Sequence, residues 1–156
     1  MPPISSCEDD ARLLADKKLP VRERVMALAY LTHFVGDLAQ PMHGGDRGDL
    51  GGNQVPVTYG IVEGRTNLHG IWDGWIPERA VTTPPGGVKG LLSGITPAQK
   101  AELAGGTVKD WSRKAWENAR TYAYTTALGD PCRERGKDER GVVTEAEVQA
   151  LIPAVR

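Results

Sequence analysis

His33-Phe34-Val35-Gly36-Asp37, Gln40-Pro41-Met42-His43 and Asn67-Leu68-His69-Gly70-Ile71-Trp72-Asp73 hold all 3 histidines of the chain. Histidine is the commonest metal ligand in proteins. In an α-helix, positions i and i+4 project from one face. His33 with Asp37, and His69 with Asp73, can therefore each offer a nitrogen and an oxygen to one ion. His43 adds a fifth group between the two pairs. The pattern reads as a zinc site placed on helices, and it sets the expected fold class as all-α.

The chain has 156 residues, enough for a single domain (1–156) with its own core. With 40% hydrophobic and 25% charged residues it has the balance of a globular protein. Its 19 basic and 20 acidic side chains give a net charge of −1. Nothing in that balance suggests a polybasic surface holding duplex nucleic acid by counterion release. A phosphodiester substrate would have to be recognised mainly through metal ions. No apolar run reaches the roughly 20 residues that span a bilayer, so stable membrane insertion is not expected. Met1 to Ser6 lacks the basic and apolar regions of a signal peptide.

Working outward from the histidines, most signals are helical. Ser5-x-x-Glu8 has the form of a capping box. Pro20 suits the first turn of a helix running to about Ala39. Val21, Val25, Leu28 and Val35 mark one stripe of that helix; Met26, Tyr30, His33 and Asp37 mark another. Gln40, preceding a proline, is pushed out of the helical region. Gly44 to Asn53 must be a loop, where turn chemistry accounts for Asp46 and Asp49.

Gln54 to Tyr59 alternates as a short strand or hairpin arm, kept at a sheet edge by Pro56. Asn67 can cap the helix that carries His69, Trp72 and Asp73, in which Trp72 and Trp75 are packing residues. Thr82 to Gly90 reads as a surface connection. Thr96-Pro97-x-Gln99, Thr107-x-x-Asp110 and Thr144-x-x-Glu147 each open a helix. Trp111, Trp116 and Tyr122, at helical spacing, are expected in the core. Arg47 and Arg65 read as solvated loop arginines, and Arg133 to Arg140 as a solvated charged loop. The expected architecture is a helical bundle with one short β-hairpin excursion, its metal ligands facing inward from neighbouring helices.

The His33–Asp37, Gln40–His43 and Asn67–Asp73 segments, with Gly51-Gly52-Asn53, occur in an order and spacing that resembles a known family. It is the zinc-dependent family of fungal single-strand-specific nucleases and plant endonucleases, with bacterial zinc phospholipases C as more distant members. The resemblance extends over roughly Cys7 to Arg156. It implies a trinuclear zinc centre in which His33 joins one zinc of a close pair, Asp37 bridges that pair, and His43, His69 and Asp73 hold the third ion. Such a centre activates water and stabilises the leaving oxyanion. The resemblance also implies site roles for Asp37 and Asn53, a single-stranded nucleic acid substrate, release of 5′-phosphates, and a secreted or periplasmic location.

The chain departs from the family pattern at its start. The N-terminal tryptophan, and the His and Asp ligands that precede the His33 segment in the family, have no counterpart. The expectation is that the chain is the C-terminal half to two-thirds of such an enzyme, lacking an N-terminal segment. On that reading one zinc site is complete and the close pair is half built. Three functions follow: a zinc nuclease, a zinc phospholipase C or esterase on the same scaffold, or a zinc-binding fragment without catalysis. Cys7 and Cys132 form either one disulfide or two reduced thiols. The resemblance to an exported family favours the bond, which would close a loop of about 125 residues and contribute roughly 5 kcal/mol.

Overall fold

The computed structural model describes residues 4–136 and 138–156, with the side chains of residues 4–5 and 62–65 left aside. The chain is mostly helical, with one small three-stranded sheet. Helix α1 (Ile4–Ala15) packs against α2 (Val21–Ala39), which also meets α8 (Val108–Asn118). Helix α1 already begins at Ile4, ahead of Ser5, whose side chain lies outside the described residues. The Arg65 side chain and Lys137 within the charged run also lie outside them.

Pro20, with extended backbone, stands just before α2, and Gln40 is extended at its end. The proline at position 41 imposes that break, because its ring disfavours helical backbone in the preceding residue. Pro41 then serves as the first residue of the short α3 (Pro41–Gly44).

The expected hairpin is present. Strand β1 (Pro56–Tyr59) pairs antiparallel with β2 (Val62–Asn67), with partners Pro56–Asn67, Val57–Thr66 and Tyr59–Val62. Its position in the sheet corrects the expectation from Pro56. The strand order is β2-β1-β3, so β1 is central, flanked on its other side by the parallel strand β3 (Gly141–Val143). Pro56 is tolerated there because it is the first residue of the strand.

Strand β3 is fed by the charged run, which is therefore more than a solvated loop. Arg135 and Arg140 donate to the Gln54 and Val57 carbonyls, each at 2.9 Å. Arg133 pairs with Glu139. Arg47 is likewise engaged: it donates to the Arg133 carbonyl and lies 5.7 Å from the centre of the Tyr124 ring.

After β2, one helical run carries the chain through α4 (Leu68–Gly70), a π-helical segment (Ile71–Trp75) and α5 (Ile76–Thr82). The Pro77 ring would press on the Asp73 carbonyl in a regular α-helix, and the wider π turn relieves that contact. The stretch expected to be a connection is partly helical, as α6 (Gly87–Ser93). Helix α7 (Pro97–Leu103), α8 and α10 (Glu145–Val155) all begin with the expected capping boxes, at Thr96, Thr107 and Thr144. Helix α8 continues through a second π-helical segment (Ala119–Tyr124) into α9 (Thr125–Leu128).

The core lies between the sheet, the Leu68–Thr82 run, the Ala119–Leu128 run and α10. Val57, Leu68, Ile71, Ile76 and Val148 are its most deeply buried members, and Trp72 joins it as expected. Two groups of expected core residues are not in it. On α2, Val21 is 72% exposed, and Val25, Met26, Leu28 and Tyr30 are exposed as well. Apolar periodicity identifies a helix face that favours burial, but a partner must exist to bury it. Trp116 and Tyr122 are also exposed, whereas Trp75, 38% exposed, packs edge-on against the buried Tyr59 with 5.2 Å between ring centres.

The expected disulfide is absent: both cysteines are free, Cys7 buried and Cys132 exposed. Cys7 lies on α1, which packs on α2 and α8, whereas Cys132 follows α9 beside β3. The two elements occupy different parts of the fold, and a disulfide requires Cα atoms within about 7 Å. Thiol titration of the denatured, unreduced protein is therefore expected to find two reactive thiols. Finding none would restore the bond.

Candidate metal centre

Each candidate ligand is held by a local device. His33 and Asp37 lie one turn apart near the end of α2, with His33 Nε2 at 3.6 Å from Asp37 Oδ2. The His33 side chain is 65% exposed. Gln40, forced out of the helix, turns its side-chain oxygen onto the Met42 N–H and so caps α3. The buried Met42 pins this short helix to the core. His43, the next residue, is thereby aimed back at α2, where its Nδ1 lies 2.9 Å from the Asp37 carbonyl oxygen.

His69 is placed from the other side. Asn67 caps α4, its side-chain oxygen accepting from the Gly70 N–H at 2.8 Å. Leu68 and Ile71 anchor that helix with no exposure. The His69 ring then meets the glycine loop, with Nδ1 at 2.9 Å from the Gly51 carbonyl oxygen. Close approach here requires glycine. A Cβ on Gly51 would fall 2.6 Å from the Met42 carbonyl oxygen, and one on Gly52 2.6 Å from Met42 Cε. Both residues also have positive φ, at 59° and 81°. That backbone region is disfavoured for residues with a Cβ.

His43, His69 and Asp73 come together: one ligand atom from each lies within 4.8 Å of the others. His43 Nε2 is 3.7 Å from Asp73 Oδ1, and the two imidazole rings are 5.2 Å apart. A carbonyl oxygen can only accept a hydrogen bond, so the ring nitrogen facing it carries the proton. Both histidines therefore hold their proton on Nδ1 and keep the Nε2 lone pair available. Two imidazole nitrogens and a carboxylate are a catalytic zinc donor set. Neighbouring ligands on a tetrahedral zinc with bonds of about 2.0–2.1 Å lie roughly 3.4 Å apart. The His43–Asp73 spacing is close to that, so the residues fit the ion.

His33 and Asp37 are not part of that trio. They are joined to it through Asp37, whose Oδ1 is 3.9 Å from His43 Nδ1. Among the described residues, no third histidine, cysteine or carboxylate donor groups with both His33 and Asp37. Asn53 is not brought to the trio either. Its side chain donates to the Leu50 carbonyl at 2.9 Å and lines a separate small cavity with Thr66 and Arg140.

Several participants were not anticipated from the sequence. Gln40 Nε2 donates to Asp73 Oδ1 at 3.3 Å. A cavity of about 930 Å³ is lined by Asp37, His43 and Asp73, and also by Trp111, Lys114 and Tyr122 from the α8 run. Trp111 on α8 and Tyr122 on the π-helical segment that follows it thus face a cavity rather than a core. The only signal that could have marked them was an aromatic and cationic repeat on one helix, which core packing also produces. Tyr124, buried on the same run, donates to Asp49 Oδ1 at 2.7 Å. Burial, and then that hydrogen bond, raises the Tyr124 phenol well above its ordinary value, so it stays a donor.

The chain is 36% identical to Endonuclease 4 of Arabidopsis thaliana over 94 residues, which is 59% of this chain and 28% of that protein. It is 33% identical to Nuclease P1 of Penicillium citrinum over 78 residues, 50% of this chain and 28% of the relative. Against Nuclease S1 of Aspergillus oryzae it is 44% identical over 59 residues, covering 37% of this chain and 19% of the relative. In each case the matched part spans less than a third of the relative's length. The family model described as S1/P1 Nuclease matches residues 4–146, nearly the whole chain. The chain belongs to the S1/P1 nuclease family.

Proposed function

We propose that this chain carries the zinc-binding half of a phosphodiesterase acting on single-stranded nucleic acid. The observation that supports it most is the His43–His69–Asp73 trio, with both Nδ1 atoms bonded to backbone carbonyls and with His43 and Asp73 lining a large cavity. His43, His69 and Asp73 would hold one zinc; His33 and Asp37 would contribute to a second position beside it. When bound, zinc supplies Lewis-acid stabilisation of charge on a phosphoryl oxygen and activation of water. The protein's part is orientation. The carbonyls of Asp37 and Gly51 lock the two imidazole tautomers, and Gln40 orients the Asp73 carboxylate.

Substrate class follows from the relatives and from the cavity wall. The names Nuclease P1, Nuclease S1 and Endonuclease 4 point to nucleic acid. Trp111 and Tyr122 offer ring surface on which bases of any identity can stack, and Lys114 offers a charge to the backbone. A net charge of −1 provides little long-range steering, which supports a reading in which the cavity carries recognition. Export to the periplasm or the exterior belongs to the same reading and is supported by family membership. Among the described residues no helix is long and apolar enough to cross a membrane.

The test compares substrates on a protein that contains this chain together with the N-terminal part of a longer relative. Zinc-loaded protein is expected to cleave single-stranded DNA, to lose that activity with chelator, and to leave short-chain phospholipid intact. Cleavage of the phospholipid with no action on DNA or RNA would transfer the proposal to a phospholipase C.

A further inference from the structure

The glycine loop contains a peptide group bonded at both ends. The Gly51 carbonyl accepts the His69 Nδ1 proton at 2.9 Å. The N–H of the same peptide, on Gly52, donates to Asp49 Oδ1 at 2.8 Å. That oxygen also accepts the Tyr124 hydroxyl at 2.7 Å. Four groups are thus linked: the imidazole donates to the peptide, the peptide donates to the carboxylate, and the phenol donates to the same carboxylate oxygen.

Turn chemistry alone does not account for Asp49. Asp46 already caps this loop, accepting from the Gly48 and Asp49 N–H groups at 2.9 and 3.1 Å. The second Asp49 oxygen, Oδ2, is buried with no hydrogen-bond partner. An unsatisfied buried oxygen carries a desolvation cost that a purely structural turn would avoid with a smaller or neutral side chain. Tyr124 reaches this carboxylate from a π-helical segment 75 residues away in sequence.

We propose that Asp49 and Tyr124 are positioning residues for His69, acting through the Gly51–Gly52 peptide. The inference rests on the reading of His69 as a zinc ligand. A metal-bound histidine usually donates its other N–H to a carboxylate or carbonyl, which sets the tautomer and increases basicity. Here the carboxylate is one peptide removed. Its negative charge draws the Gly52 N–H proton and polarises the peptide, which makes the Gly51 oxygen a stronger acceptor. The His69 Nδ1–H is held more firmly, and the Nε2 lone pair becomes a better donor. Tyr124 orients the carboxylate so that Oδ1 points at the peptide.

Asp49→Asn keeps the shape and removes the charge, and Tyr124→Phe keeps the ring and removes the hydroxyl. Zinc dissociation constants from competition with a chromophoric chelator are expected to rise about tenfold in Asp49→Asn, the lower end for residues that orient a ligand. Tyr124→Phe should shift them in the same direction by less than tenfold. In zinc-free protein, nitrogen-15 NMR of the rings should show His69 losing its Nδ1–H preference in Asp49→Asn while His43, held by a different carbonyl, keeps its own. Zinc affinity and His69 ring signals unchanged in both variants would overturn the proposal. Should Asp49→Asn not fold, Tyr124→Phe decides alone. Absence of zinc binding by the wild-type chain would instead overturn the zinc reading, whereas the ring measurement needs no metal.

Discussion

Replacing His69 with alanine is expected to empty the zinc site proposed for this chain. The site has three protein donors, and removing one leaves His43 and Asp73, whose ligand atoms lie 3.7 Å apart. Structural zinc in peptides is bound with about 10–16 kcal/mol by four ligands, so one ligand corresponds to roughly 2.5–4 kcal/mol. At 1.36 kcal/mol per factor of ten, affinity should fall by roughly two to three orders of magnitude. The fold should survive, because α4 is anchored by Leu68 and Ile71 and capped by Asn67, none of which the substitution touches. Metal content after dialysis against micromolar zinc is the measurement, with Asp9→Ala on α1 as the control. One zinc per chain retained in His69→Ala would mean that the trio is not the binding site.

The second large effect concerns turnover. The 156-residue polypeptide, tested as it stands, should hydrolyse single-stranded DNA at least about a hundredfold more slowly than the same chain joined behind the N-terminal part of a longer relative such as Nuclease P1. The reason is the His33–Asp37 pair. It offers two donors, and among the described residues no third histidine, cysteine or carboxylate donor groups with both of them. A catalytic zinc normally has three protein ligands. An ion held by two is bound weakly and poorly oriented, and a small misplacement of the reacting group already costs about a hundredfold in rate. The exposed apolar face of α2, which includes Val21 and Val25, lies on the helix that carries this pair. The fusion is expected to bind more zinc per chain and to cleave in a chelator-sensitive way. Equal turnover by the isolated chain, abolished by His43→Ala, would show that the His33–Asp37 position contributes little.

Much of the site was legible in the residues because its parts are local. Asn67 before Leu68-His69, and Gln40 before Pro41, act within a few residues of themselves, so the helix starts that present His69 and His43 follow from capping and from proline sterics. The capping boxes at Thr96, Thr107 and Thr144 are equally short-range. The His–Asp spacings specified which pairs share a helix face, and the structure adds that the His69–Asp73 turn is a π turn beside Pro77.

What only the tertiary structure decided depends on partners distant in sequence. Val57 pairs with Gly141, which makes β1 central rather than an edge; no alternation within Gln54–Tyr59 encodes that neighbour. The stripe on α2 has the periodicity of a buried face, yet burial needs an apposed surface, and here Val21 and Val25 face outward. Cys7 and Cys132 remain apart because α1 and the turn after α9 lie in different places, a matter of element arrangement and not of cysteine count. Asp49 reads as a turn residue by itself, and it becomes part of the His69 chain only because the Tyr124 hydroxyl and the Gly51–Gly52 peptide converge on it. Short-range sterics and hydrogen bonding thus determined the elements and the ligand spacings, while long-range packing determined which faces are covered and which groups hold the ligands in place.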